Sequence, residues 1–299
     1  MSRLVSIAAC NFFYRPVSSF DEFAAHARTL LDQAKGADLV VFPELFTFEL
    51  FTTLENWRDL PLTELPRIDK YTGAYRSLFA SEAKERNQYL AAGSHLMKEN
   101  GRCLNVGHLF GPDGSVHTHA KTHLAAVERD WLTEEGDTLE VVELPFAKVG
   151  LCICYEVEIP EFVASLTEQG AEIIICPSFA TDEYGFWRTN LCSHAQCIMN
   201  QVYCVHSMMG GDPGLPLPPG WARSSILSPC DANIAMWTPS GTVAMAEPNT
   251  ETVVRGRIDM DLLYESREKC AAATYRDRRR RAELYLKWPS HLTGVQRPA

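Results

Sequence analysis

Apolar and polar positions along the chain switch repeatedly between two spacings. Leu4 to Cys10 is a continuous apolar run of strand length. Ser18 and Ser19 then precede Asp21 and Glu22, and Phe20, Phe23, Ala24, Ala27, Leu30, Leu31 and Ala34 recur at helical spacing until Gly36. Asp38 to Phe42 returns to a strand. Strand, helix and strand within about 40 residues predict a crossover unit with parallel pairing. Further on, the pattern predicts a helix over 69–86, a strand over 89–95, and a hairpin of 103–110 with 115–120 about Pro112-Asp113-Gly114. A second hairpin joins 139–144 to 147–153. A helix over 161–169, a strand over 171–176, a helix over 187–200 and a strand over 201–206 follow. Met208 to Gly220 is dense in glycine and proline and reads as an irregular loop, of a length often used as a lid or a partner contact. Stretches 222–228, 233–237, 242–246 and 252–258 read as short strands closing a second sheet. With no linker and no repeat, the chain is read as a single domain over 1–299.

Composition narrows the class. The 299 residues, 46% hydrophobic and 22% charged, are ordinary for a soluble globular protein. A net charge of −10 argues against a general nucleic-acid binder. Ten cysteines lie mainly in apolar runs, and a chain this large does not need disulfides, so they are read as reduced and the location as cytoplasmic. No apolar run approaches the ~20 residues of a membrane span. Ile7-Ala8-Ala9-Cys10 mimics a lipoprotein cleavage box, but lies too close to Arg3 for a signal core.

Candidate chemistry gathers at three element ends. Gly150 to Ile153 runs as a strand into Cys154-Tyr155, and Pro160-Glu161 opens a helix. A thiol there is rigid, exposed and near backbone N–H groups, as a nucleophile requires; a small buried hydrophobe fits the same stretch equally well. Glu44 follows the second strand among Phe42, Leu45, Phe46 and Phe48, a setting that raises a carboxylate's pKa and suits a general base; taken alone it also reads as a solvated loop residue. Lys121 ends the first hairpin, either as a surface lysine or as a donor to an oxyanion. Cys152-Ile153-Cys154 would place two sulfurs on one strand face, but no second Cys/His pair stands at zinc-like spacing.

Three motifs together carry a resemblance. Gly150-Leu151-Cys152-Ile153-Cys154-Tyr155-Glu156-Val157-Glu158-Ile159-Pro160-Glu161 resembles the cysteine motif of the nitrilase, or carbon–nitrogen hydrolase, superfamily, which usually reads G-x-x-I-C-Y-D-x-R-F-P-E. Leu39 to Phe46 resembles its glutamate motif. Lys121-Thr122-His123-Leu124 resembles its lysine motif, with Glu128 seven positions on. The resemblance implies a four-layer α-β-β-α sandwich of two mixed sheets, and a homodimer or higher homo-oligomer formed through helices next to the cysteine motif. It implies cysteine chemistry on a non-peptide C–N bond of a small-molecule amide, nitrile or carbamoyl compound, through a thioester and without metal or cofactor. Cys154 would be the nucleophile, Glu44 the base, Lys121 and the Tyr155 N–H the oxyanion donors, and Glu128 a partner of Lys121 or of the substrate nitrogen. Phe179, in the loop after a strand, would line the pocket. Acyl transfer to an amine, or a non-catalytic scaffold, are the alternatives. The basic run Arg278–Arg281 leads into Arg280-Arg281-Ala282-Glu283-Leu284-Tyr285, which resembles a common R-R-x-x-L-Y-like family ending, and residues 276–299 are expected to be an extension packing on a partner subunit. Two departures stand out. Gln196 and Met199 replace a usual Arg and Glu, and Glu158 replaces a usual Arg. With Asp182 and Glu183, Glu158 suggests an acidic pocket mouth that prefers neutral or amine-bearing amides to ω-amides of dicarboxylic acids.

Overall fold

The computed structural model describes residues 3–231 and 237–288. Its first half runs β1 (Leu4–Phe13), α1 (Phe20–Gln33), β2 (Leu39–Val41), α2 (Thr72–Arg86), β3 (Tyr89–Glu99), β4 (Arg102–Phe110), β5 (Val116–Ala120) and α3 (Ala126–Asp130). The second runs β6 (Val141–Glu143), β7 (Lys148–Leu151), α4 (Pro160–Glu168), β8 (Ile173–Phe179), α5 (Glu183–Asn200), β9 (Tyr203–Gly210), β10 (Ser225–Leu227), β11 (Thr242–Met245) and β12 (Thr252–Asp259). Helices α6 (Met260–Lys269), α7 (Thr274–Arg280) and α8 (Ala282–Lys287) close the described chain.

The strands form two mixed sheets, ordered β12-β1-β2-β3-β4-β5 and β6-β7-β8-β9-β10-β11. They join where the end of β1 pairs with β9, Phe12 opposite Met209 and Phe13 opposite Gly210. Side-chain alternation explains the layering. Along β1, Val5, Ile7 and Ala9 turn inward to meet Val149, Leu151, Ile173 and Val205 of the other sheet. Ala8, Cys10 and Phe12 turn outward onto Phe23 and Leu30 of α1 and Tyr75 and Phe79 of α2. On the far side, Cys152, Ile174 and Cys204 pack under Phe162, Val163 and Leu166 of α4 and Cys197 of α5. Helix, sheet, sheet, helix is therefore the order of layers, as expected.

Several boundaries move, each for a local reason. Residues 62–71 wind in 3-10 turns around Pro66, which lacks an N–H, so the expected 69–86 helix starts at Thr72. Strand β8 continues through Pro177 to Phe179, paired with Met209 of β9, where a loop was expected. Helix α5 begins a turn early because the Asp182 side chain accepts from Gly185 N at 2.8 Å. Met208 to Gly210 belongs to β9, not to an irregular loop, and the remaining loop is closed by a Gly211–Gly220 bridge over a buried Leu217. Strand β12 pairs with β1 and so completes the first sheet rather than the second. The expected strand over 233–237 lies almost wholly outside the described residues. No described helix is long and apolar enough to cross a membrane.

Candidate active site

Glu44 stands three residues beyond β2, on a backbone fixed from both sides. Phe42 N donates to Ala91 O at 2.8 Å, and the Pro43 carbonyl presses against Gly93, where any Cβ would lie 1.9 Å from that oxygen. Gly93 is thus obligatory, and its φ of 57° adds a second reason. Leu45 takes a left-handed φ of 54° and donates its N–H to Ser94 Oγ. Cys154 is also left-handed, at φ 49°, in the 3-10 turn that follows β7. Such backbone in non-glycine residues is costly and tends to gather at functional sites.

The first sheet supplies a buried charge cluster. Lys121, 1% exposed, donates to Glu44 Oε1 at 2.7 Å and to Glu128 Oε2. Glu128 also accepts the Ala125 N–H at 2.9 Å. Asn105 of β4 donates its amide to both carboxylates, at 3.0 Å to Glu44 and 2.9 Å to Glu128, while its main-chain carbonyl accepts the Lys121 N–H. The second sheet supplies the thiol and a clamp. Cys154 Sγ contacts the Phe179 carbonyl at 3.5 Å, and Phe179 N donates to Glu44 Oε2 at 3.0 Å.

Burial raises Glu44 above the usual carboxylate range; Lys121 pulls it back, and Glu128 adds to the rise. For Lys121 burial works against the ammonium, but Glu128 and then Glu44 outweigh it and hold its pKa well above the ordinary lysine value. Burial and then the Glu44 charge push the Cys154 thiol well up, opposed by Lys121. A thiol pushed up in this way must give up its proton before sulfur can attack, and Glu44 is the neighbouring carboxyl group.

Cys154, Glu44, Lys121 and Glu128 open on one cavity of ≈ 250 Å³, walled by Leu45, Trp131, Tyr155 and Phe179. Cys152 is not part of it. The strand ends at Leu151, so the two sulfurs part, and Cys152 is buried against α4 and α5 with its thiol also pushed well up by burial. The expectation of two sulfurs on one face fails for that reason. Among the described residues no His, Cys, Asp and Glu group is arranged to hold a metal.

The acidic mouth holds in part. Glu158 and Asp182 line the cavity, but Arg188 of α5 donates Nε to Glu158 Oε1 at 2.9 Å and brings a guanidinium to the same wall. Glu183 accepts from Trp187 Nε1 and is not among the lining residues. Sequence reasoning missed three contributors. Asn105 lies between the apolar Leu104 and Val106 in β4, with no motif to mark it. Arg188 lies 30 residues from its partner. Glu156, fully buried, accepts from Ile153 N and Thr122 N, both at 2.6 Å, and from His119 Nε2 at 2.9 Å. Its pKa is lowered: burial opposes the charge, but His119 and the two N–H groups prevail. One carboxylate thereby staples the residue before Cys154 to the residue after Lys121.

The fold is matched by known proteins. The family model described as carbon-nitrogen hydrolase matches residues 6–268. The chain belongs to the carbon–nitrogen hydrolase family. It is 34% identical over 283 residues to the probable hydrolase YhcX of Bacillus subtilis, covering 92% of this chain but only 54% of that protein. It is 28% identical over 290 residues to omega-amidase NIT2-A of Xenopus laevis, covering 93% and 96%. Among solved structures, an amidase from Nesterenkonia AN1 superposes with a TM-score of 0.71 at 19% identity, covering 96% of this chain and 98% of that one. Saccharomyces cerevisiae Nit3 superposes at 0.72 with 18% identity, covering 89% and 93%.

Proposed function

We propose that the protein hydrolyses the C–N bond of a small-molecule amide through a thioester on Cys154. The observation that carries this reading is the thiol, carboxylate and ammonium of Cys154, Glu44 and Lys121 facing one small cavity. Glu44 takes the Sγ proton as sulfur attacks the amide carbon. Lys121 and the Tyr155 N–H receive the oxyanion. Glu44 returns its proton to the departing nitrogen, and the C–N bond breaks. Water then gives a proton to Glu44 and attacks the thioester; the C–S bond breaks and the thiol recovers that proton. Glu128 keeps Lys121 protonated and in place. Two neighbours support the choice of amides: the relative named an omega-amidase, and a Nesterenkonia amidase structure described as carrying the acetamide moiety of fluoroacetamide on its active-site cysteine. The test is intact-mass measurement with an amide library, paired with ammonia release. An acyl adduct mapped to Cys154 is expected; neither adduct nor ammonia from any amide refutes the reading.

Assembly belongs to the same proposal. Trp187, Leu191, Ile198 and Met199 expose apolar surface along α5, which suits a homo-oligomeric contact. Residues 276–288 would extend that contact; 289–299, the rest of the expected extension, lie outside the described residues. In the described part, Arg279 of α7 also reaches Thr167 O and Glu168 of its own chain. Ten free cysteines, most of them buried, support a cytoplasmic location. Light scattering on Leu191→Asp, expected to shift the mass toward the monomer, tests the contact.

A further inference from the structure

The two carboxylates that flank Lys121 repel each other, and the lysine can satisfy only the oxygen turned to it. A second donor reaches both: it joins the lysine on Glu44 Oε1 and takes the Glu128 oxygen that the lysine leaves free. Asn105 is fully buried, and each of the two N–H bonds of its amide is used on a different carboxylate, Glu44 Oε1 at 3.0 Å and Glu128 Oε1 at 2.9 Å. The orientation of this amide is fixed by chemistry. Both neighbours are carboxylates that accept, so the flipped amide would set its oxygen against two more oxygens. The cost is visible, since Asn105 Oδ1 is buried without a hydrogen-bond partner. Few buried polar atoms go unsatisfied, and a buried amide that leaves its oxygen orphaned is held there by what its nitrogen does.

We propose that Asn105 is a positioning residue for catalysis: its two N–H donors keep Glu44 ionised and aimed at the Cys154 thiol, and keep Glu128 turned to Lys121. This rests on the reading of Glu44 as the base. The titratable groups facing Glu44 are Lys121 from the end of β5, Glu128 from α3 and Cys154 from the turn after β7; Phe179 N adds a neutral donor from β8. Loss of Asn105 removes one of three donors to Glu44 and leaves the repulsion from Glu128 less screened.

The experiment follows alkylation of Cys154 by chloroacetamide against pH, read by intact mass and peptide mapping, so that it needs no knowledge of the substrate. In that reaction sulfur displaces chloride while the thiol proton passes to Glu44. Asn105→Leu should move the acid limb of the alkylation rate upward by about one pH unit, the scale of a lost hydrogen bond to a charged group. Asn105→Asp keeps the shape but adds a third acid, and should move the limb further than leucine does. A packing role predicts the reverse order, with aspartate nearly silent. With a turned-over amide, kcat should fall about ten-fold while KM stays within about three-fold. If the leucine variant does not fold, Asn105→Ser, which retains one O–H donor, should give a smaller shift in the same direction. An acid limb unmoved in folded Asn105→Leu and Asn105→Asp overturns the proposal. A wild-type enzyme that alkylates at Cys154 but turns over no amide would instead count against the proposed reaction.

Discussion

At Lys121 an ammonium lies between the carboxylates of Glu44 and Glu128. At His26 an imidazole lies between those of Glu49 and Glu251, 2.8 and 2.9 Å away. Both central groups are buried, and each cluster draws its acids from separate elements. They differ in what they face. The first opens on a cavity with a thiol, and its carboxylates share one asparagine amide. The second is packed under the Phe12 ring, 4.2 Å away, and the same oxygens that meet the imidazole, Glu251 Oε2 and Glu49 Oε1, also accept the main-chain N–H groups of Phe13 and Arg15. It ties α1 and the start of β12 to the turns after Glu44. A buried acid–base–acid arrangement is therefore not a site by itself. It becomes one where a nucleophile and an open volume meet it; elsewhere it is a clamp.

Breaking each cluster should separate chemistry from stability. Cys154→Ala should reduce amide turnover to background, whereas Cys152→Ala, in the core under α4, should keep most of it; iodoacetamide labelling confined to Cys152 would sink this assignment. Glu44→Gln and Lys121→Met should each lower kcat by at least about 10²-fold with the fold retained. Near-normal kcat in either removes that residue from the mechanism.

His26→Ala should do the opposite. It should leave kcat per folded molecule within about three-fold and cost about 3 kcal/mol in urea unfolding, because Glu49 is left buried without its partner. This effect has a sign in pH. Burial pulls His26 down, but the bonds to Glu251 and Glu49 outweigh it, so its folded pKa is raised. The stabilisation is present below the ordinary histidine value and fades as pH rises through the folded one. The gap between wild type and His26→Ala should be wider at pH 6 than at pH 9, and an equal or reversed gap refutes the linkage. The smallest effect is expected at the pocket mouth. Arg188→Gln leaves Glu158 unpaired and should raise the kcat/KM preference for an amine-ended over a carboxylate-ended amide by a few-fold, as suits an exposed guanidinium. An unchanged ratio removes Arg188 from substrate selection.

Much of this was legible in the chain because strand ends announce themselves. Glu44 and Cys154 each follow an apolar run, Lys121 ends a hairpin strand, and all three stand in recognisable motifs, so they could be named before their distances were known. The switching between helical and strand spacing marked the α/β class, and the four-layer order came with the resemblance. What stayed hidden depends on contacts distant in sequence. Asn105 binds groups that lie 61 and 23 residues away. Arg188 cancels a charge that looked unopposed. Strand β12 crosses to pair with β1, from the far end of the chain, and no local pattern says which sheet it joins. The Glu156 staple was hidden because it replaces the family's usual aspartate and its partners come from another hairpin.

The pairing of β1 with β9 at Phe12 and Phe13 has one more consequence. Glu44, Asn105, Lys121 and Glu128 are delivered by one sheet, and Cys154 and Phe179 by the other, so the reacting atoms meet across a joint that those few residues hold at its corner. The distance from sulfur to base is thus a gauge of how the two halves sit on each other. Warming that loosens the corner should silence the enzyme before circular dichroism records any loss of structure, and amides at the Phe12–Met209 seam should exchange with deuterium at the same temperature at which turnover fades.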